Sequence, residues 1–412
     1  MTSRPQQQST NPQHLRAAPA PNLGRFRVKR KWSSLAIAML AAATLAGCYI
    51  PGQTTTAPPD QAAAEKADQS LKQLEGKVLS KGPNGEEPSP ATSAELTPEQ
   101  LARIKDKKAT AAIVMHYAGN DWSSAQIAGL RSEFGNLGIE VVAVTDANFK
   151  PDKQVSDIET VMSKKPDIIV SLPADPVATV SAYRAAQSAG AKLVFMDNVP
   201  KGFKAGTDYV SAVSADNFGN GVVSAHLMAK ALGAKGKIGL IFHEADFFVT
   251  RQRYDGFKQT IQSDYPEIQI VEEQGIAGPD FAGDAQGVAN AMLSKHPDLG
   301  GIWAVWDVPA EGVMAAARAS GRGDLRIATE DLGKNVAIAM AKGELVVGLG
   351  AQRPFDQGVV EARLGALAVL GEKTPPYVAL SALPVQHANV LDAWKQVYHE
   401  DPPQDLVSSF KE

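Results

Sequence analysis

Cysteine is nearly absent from this chain: Cys48 is the only one in 412 residues. A lone thiol excludes an internal disulfide and a thiolate metal cage, so the fold must rest on its apolar core. A strong charge of one sign is missing too, and a formal net charge of −4 provides no basic field for nucleic acid. Beyond residue 48 no apolar run is long enough to cross a bilayer as a helix. There is no P-loop, and Gly348-Leu349-Gly350 lacks the third glycine of a dinucleotide-binding turn. The histidines are scattered: His243-Glu244-Ala245-Asp246 has no second histidine at helical spacing, and His296-Pro297-Asp298 reads as a turn. No Ser/His/Asp order or nucleophile elbow is present. The expectation is a protein with no metal, no cofactor, no nucleic-acid partner and no enzymatic activity.

What is present begins with the setting of that cysteine. Arg25, Arg27, Lys29, Arg30 and Lys31 precede a short apolar run from Ser33 to Thr44, which ends in Leu45-Ala46-Gly47-Cys48. A cationic head, a short apolar stretch and small residues before a cleavage point form a secretory signal, predicted over residues 1–48. The tetrad resembles the lipobox of bacterial lipoproteins. That resemblance implies a diacylglyceryl thioether on Cys48 and a mature protein held at the outer face of the plasma membrane, or in the periplasm. Cleavage there leaves about 360 residues, enough for two domains. Pro51 to Pro90 is rich in Thr, Ala, Pro, Gln, Glu and Lys and reads as a flexible tether. Thr97-Pro98-Glu99-Gln100 then supplies a cap, a first-turn proline and an acidic first turn, predicting a short helix to about Lys107. Residues 49–108 are thus expected to be tether plus short helix.

From Ala111 the pattern changes to short continuous apolar runs separated by amphipathic stretches. The runs include Ala111–Met115, Ile139–Val144, Ile168–Val170, Leu193–Met196, Ile238–Phe242, Ile302–Val305 and Leu345–Leu349. Continuous rather than alternating runs mark strands covered on both faces, as in a parallel sheet. Helices are predicted over Asp175 to Ala189, Asp216 to Leu232 and Pro309 to Ser320, with Asp175, Asp216 and Asp307 as N-caps. Repeated βα units define an α/β class, and there are too many strands for one open sheet, so two doubly wound parallel-sheet lobes are expected.

In such sheets ligands lie beyond the carboxyl ends of the strands. Those ends carry Asn120-Asp121-Trp122, Asp197-Asn198, Arg253, Phe281, Trp306-Asp307, Glu330-Asp331 and Gln352-Arg353-Pro354. Together with Ser214-Ala215-Asp216-Asn217 and Arg253-Tyr254-Asp255-Gly256-Phe257, this set resembles the ribose-binding type of periplasmic (type I) substrate-binding proteins of ABC transporters. The resemblance covers about Thr110 to Trp394 and implies ligand contacts from Asn120, Trp122, Asp197, Arg253, Phe281, Trp306, Asp331 and Gln352. It further implies a three-crossing hinge near Ala215-Asp216, Gln352-Arg353 and Leu383-Pro384. The lobes would be 109–215 plus 353–383, and 216–352 plus 384–412. Expected partners are a sugar or polyol, a permease and ATPase pair, and the membrane through the lipid; the protein itself is expected to be a monomer. Three positions depart from the family pattern: Ser123 replaces a stacking aromatic, Asn198 an arginine and Trp306 an asparagine.

The residue chemistry points the same way. Carboxylates, a guanidinium and amides can form paired hydrogen bonds to vicinal hydroxyls, while aromatic faces cover the C–H faces of a ring. A sensory receptor for chemotaxis is compatible with the same residues. From another class, an envelope glycoside hydrolase would use Asp197 and Asp331 as its paired carboxylates. On sequence alone, Arg253→Ala or Asp331→Ala should remove ligand stabilisation and leave the ligand-free melting temperature nearly unchanged.

Overall fold

A computed structural model describes residues 59–411. The signal segment, the lipobox and Cys48 lie outside the described residues.

The reading of Pro51 to about Pro90 as a flexible tether is corrected where those residues are described. Helix α1 (Pro59–Leu74) places Ala63, Ala67 and Leu71 in one buried stripe at four-residue spacing. Leu71 joins Val223 and Leu227 in a small apolar cluster, and Lys230 pairs with Asp68 at 2.5 Å. The next residues form a strap: Leu79 N, Ser80 N and Ser80 Oγ all donate to the Asp216 carboxylate at 2.8 Å. Ser89 then bonds the backbone of Tyr377 and Ala379, and Ala94 is fully buried. Three small or aliphatic side chains on one helical face are enough for docking, although the composition around them is that of a linker. Leu71→Ala is expected to cost about 2 kcal/mol, at the low end for a buried leucine. Urea denaturation measures it; an unchanged midpoint would mean that α1 contributes nothing to stability.

Helix α2 (Pro98–Lys107) follows behind a capping box of Thr97 and Gln100. The first lobe is then built from β1 (Thr110–Met115), α3 (Asp121–Asn136), β2 (Glu140–Asp146), α4 (Pro151–Met162), β3 (Ile168–Ser171), α5 (Val180–Ser188), β4 (Lys192–Met196) and β5 (Ser211–Ala215). The second comprises α6 (Asn217–Leu232), β6 (Gly236–His243), α7 (Phe248–Asp264), β7 (Ile268–Ile276), α8 (Phe281–Lys295), β8 (Gly301–Ala304), α9 (Asp307–Ala319), β9 (Arg326–Glu330), α10 (Lys334–Ala341) and β10 (Val346–Ala351). The chain returns through α11 (Pro354–Val369) and β11 (Tyr377–Leu380), then ends with β12 (Leu383–Val385), α12 (Val390–Tyr398) and α13 (Gln404–Ser409).

Two six-stranded sheets result, ordered β11-β5-β4-β3-β1-β2 and β12-β10-β9-β8-β6-β7. The first is parallel throughout; in the second only β12 runs antiparallel, against β10. Apart from the last strand of each, the two orders are copies of one another. The continuous apolar runs are explained by burial on two sides: Ala111, Ile113 and Met115 enter one core, and Ala112 and Val114 another. In the second lobe Ile302 and Ala304 face one core while Trp303 and Val305 face the other. The chain leaves the first sheet after Ala215, returns after Ala351 and crosses again between Leu380 and Leu383.

Three local expectations need correction. Helix α5 begins at Val180, not Asp175; Asp175 instead accepts from Val177 N and Ala178 N at 2.7 Å in a preceding turn. Asp307 is the first residue of α9, and its cap position is held by Trp306. Strand β7 adds to the apolar runs a segment, Ile268-Gln269-Ile270-Val271-Glu272-Glu273-Gln274, whose polar residues disguise it; an edge strand with half-exposed faces carries such residues.

Candidate functional site

Each sheet reverses its strand order once, between β1 and β3 in the first and between β6 and β8 in the second. Side chains from beyond these switch points meet in a single cavity of about 370 Å³. All eight sequence-derived positions line it: Asn120, Trp122, Asp197, Arg253, Phe281, Trp306, Asp331 and Gln352. Both lobes contribute, and they touch beside it. Lys334 N donates to Asp121 Oδ2 at 2.8 Å, Val249 N to Asn198 Oδ1 at 3.4 Å, and the Phe149 and Phe281 rings lie 5.6 Å apart.

The two lobes furnish the cavity in matching fashion. Asp197 immediately follows β4 and Asp331 immediately follows β9, strands with the same place in their sheets. Both adopt left-handed backbone, φ 52° and 63° respectively, and each donates its N–H to the neighbouring strand, to Val213 O and Gly350 O. That conformation costs a non-glycine residue roughly 1–3 kcal/mol and is tolerated best by Asp and Asn. It turns the carboxylate out of the strand direction. His116 and His243 stand at the ends of β1 and β6 in the same relation, packed edge-on against Phe149 and Phe281 at 5.1 and 5.4 Å.

Hydrogen bonds fix the charged groups. Arg253 grips Asp331 through Nη1 at 2.9 Å and Nη2 at 3.3 Å, and donates Nε to Asn217 Oδ1 at 3.0 Å and Nη1 to Val305 O at 3.1 Å. The guanidinium is 3% exposed. Burial opposes its charge, but Asp331, Glu330 and Asp197 outweigh that and raise its pKa. Gly221 and Gly256 let α6 and α7 come into backbone contact behind it. A Cβ on Gly221 would lie 2.2 Å from Arg253 O, and one on Gly256 2.2 Å from Phe218 O. Asp197 accepts from Ser214 Oγ at 2.6 Å. Burial pushes its pKa up to about 6, with the Ser214 bond and Arg253 pulling the other way. Glu330, behind Arg253, is pushed up to about 8 by burial, against the pull of Arg253.

Asn120 has a second duty that its sequence position conceals: Oδ1 caps α3 through Ser123 N at 2.9 Å, which leaves Nδ2 for other partners. Trp122 and Phe281 are at once core residues and cavity wall. Trp306 packs on Phe281 with centroids 4.9 Å apart. Among the described residues, buried Trp122 Nε1, Gln352 Oε1, His116 Nδ1 and His243 Nδ1 have no hydrogen-bond partner. Burial pushes both histidines down to about 4, so the rings are neutral at pH 7.

Residues missed from sequence are His116, Phe149, His243 and Phe247. Phe149 supplies an aromatic wall from the loop after β2, whereas Ser123 is fully buried and bonds Tyr117 O at 2.6 Å. Asn198 accepts Val249 N from the other lobe. Only ordering the strands reveals that His116 and His243 occupy equivalent ends.

The fold and the cleft define a two-lobed binding protein, and comparison places the chain among known ones. Residues 111–373 match the family described as "Periplasmic binding protein domain". The chain belongs to that family, whose fold is the type I periplasmic-binding-protein fold; its relatives are binding proteins, not enzymes. The chain is similar to the ribose import binding protein of Bacillus subtilis (strain 168), 26% identical over 267 residues, covering 64% of this chain and 84% of the relative. It also resembles the D-ribose/D-allose-binding protein of Pseudomonas aeruginosa, 30% identical over 227 residues, covering 54% and 69%. Among solved structures, an ABC transporter solute-binding protein from Mycobacterium smegmatis with bound glycerol superposes with a TM-score of 0.62. It is 26% identical, covering 68% of this chain and 95% of that one. An Agrobacterium vitis solute-binding protein with α-D-tagatopyranose gives 0.65 at 23% identity, covering 71% and 100%, a likeness of fold.

Among the described residues no helix is long and apolar enough to cross a membrane. The glycoside hydrolase alternative has no support among the chain's relatives, which are binding proteins.

Proposed function

We propose that this protein is the extracytoplasmic solute receptor of an ABC importer, binding an uncharged sugar or polyol between its lobes. One observation carries the reading: planar hydrogen-bonding groups and aromatic faces from both lobes line the same cavity. Asp197, Asp331, Arg253, Asn120 and Gln352 would bond hydroxyls, and Trp122, Phe149, Phe281 and Trp306 would cover C–H faces. The histidines are neutral and Arg253 is neutralised by Asp331, which favours a ligand without negative charge. The lobes would be 109–215 plus 353–383 and 216–352 plus 384–412, rotating about the three chain crossings, with contacts to ligand favouring the closed form. A permease and its ATPase would receive the closed monomer, and lipid on Cys48 would hold it at the membrane.

A thermal-shift screen of pentoses, hexoses and alditols tests this, using protein that starts near residue 59 so that α1 is retained. A ligand at one hundred times its Kd stabilises by about 2.7 kcal/mol. Trp122 and Trp306, two of the five tryptophans, line the cavity, so intrinsic fluorescence should change on binding. A panel with no stabilising compound and no fluorescence change would refute a hydroxyl-rich ligand.

A further inference from the structure

One continuous chain of side-chain hydrogen bonds joins the cavity carboxylates of the two lobes, and it runs through the first chain crossing. Asp197 Oδ1 accepts from Ser214 Oγ at 2.6 Å, Ser214 Oγ accepts from Asn217 Nδ2 at 2.9 Å, and Asn217 Oδ1 accepts from Arg253 Nε at 3.0 Å. Arg253 then holds Asp331. Ser214 is the penultimate residue of the first lobe's β5 and Asn217 opens the second lobe's α6. Both are fully buried.

The donor order leaves no freedom. Ser214 has one hydroxyl proton and gives it to Asp197, so it can meet Asn217 only as an acceptor. Arg253 can only donate, which assigns the Asn217 oxygen to it and the amide nitrogen to Ser214. The second Asn217 proton goes to Ala215 O at 3.1 Å, inside the crossing itself. Turning the amide over would set donor against donor at Arg253.

We infer that Asn217, acting through Ser214 and Arg253, is a positioning residue that orients the ligand-facing charges of both lobes from the hinge. It touches no ligand position itself; its significance for binding rests on the function proposed above. Rotation about Ala215-Asp216 would change the Ser214–Asn217 geometry, so Asp197 and Arg253 are aligned together only in the crossing conformation seen here. This is how movement of the hinge and readiness of the site become one event.

The test needs no ligand. Aspartate labelled with ¹³C at the carboxyl carbon reports Asp197 ionisation in the full chain, and ¹⁵N-arginine reports exchange of the Arg253 Nε–H. Asp197 is faced by Arg253 and Asp331 across the cavity, and by Glu361 and Tyr377 from its own lobe. None of these is altered by the substitutions. Ser214→Ala should raise the Asp197 midpoint by about half a pH unit or more, through loss of its donor. Asn217→Ala should raise it too, although Asn217 does not touch Asp197, and should speed Arg253 Nε–H exchange about tenfold. Asn217→Asp keeps an acceptor for Arg253 but loses the donor to Ser214; its added carboxylate raises the midpoint by repulsion as well, so its decisive readout is exchange, which should stay slow. This isosteric variant and Ser214→Ala carry the test should Asn217→Ala fold poorly. The Ser214→Ala/Asn217→Ala double variant should shift the midpoint no further than the larger single change. An unmoved midpoint in Asn217→Ala, fast Arg253 Nε–H exchange in Asn217→Asp, or strictly additive shifts would overturn the inference. Absence of sugar binding in the wild type would refute the proposed function and leave these titrations as they are.

Discussion

Arg253→Ala is expected to abolish ligand-induced stabilisation and also to lower the stability of the ligand-free protein by about 3–5 kcal/mol. The second half reverses what the sequence suggests, and the reason is the pairing. Arg253 and Asp331 are both buried and joined by two hydrogen bonds, so deleting the cation strands an anion in a poorly solvated place. Asn217 Oδ1 and Val305 O lose their donor at the same time. Asp331→Asn should cost less, because Arg253 retains Asn217 and Val305 as acceptors and the anions Asp197 and Glu330 nearby. Joint replacement, Arg253→Met with Asp331→Leu, should recover most of the ligand-free stability without recovering binding. Chemical denaturation at pH 7 separates the cases. An Arg253→Ala protein as stable as wild type would show that the pair is not buried in solution.

Asp197→Asn should act in the opposite sense on stability. The folded carboxyl titrates at about 6 against an ordinary 3.8, so between those values the folded state binds a proton that the unfolded state has released. Stability therefore declines as pH rises through that window, by up to about 3 kcal/mol, because each tenfold difference in proton affinity is worth about 1.36 kcal/mol. The asparagine variant has no such titration. It should be more stable than wild type above pH 6, with the advantage shrinking as pH falls towards 4. Binding should suffer nonetheless, since one carboxylate oxygen facing the cavity residues becomes an NH2 donor. If the ligand requires the ionised carboxylate, wild-type affinity should fall about tenfold between pH 7 and pH 5. Calorimetry at the two pH values, with the best compound from the sugar and polyol screen, measures this; equal affinity at both would remove Asp197 from the contact set.

How far the molecule can be read from its sequence differs by element. The buried strands are legible because both faces are covered, which turns them into uninterrupted apolar runs such as Ala111–Met115. The residues lining the cavity are legible because polar and aromatic side chains at strand ends have few other reasons to recur. Helix α1 is not, since its buried face is three residues in an otherwise polar segment. Strand β7 is hidden by its edge position. The matching of His116 with His243, and of Asp197 with Asp331, depends on sheet order, which local pattern cannot supply. The Arg253–Asp331 grip is likewise a distance between residues far apart in sequence, and the stability of the ligand-free protein depends on it.

The docking of α1 also has a mechanical meaning. A pull on the chain at residue 59 meets the α1–α6 contact first, in the second lobe, and then the Ser80–Asp216 bonds. Only after both have given way does the load reach α2 and the first sheet. Force applied at residue 59 would therefore be borne by these contacts before it reached the cleft.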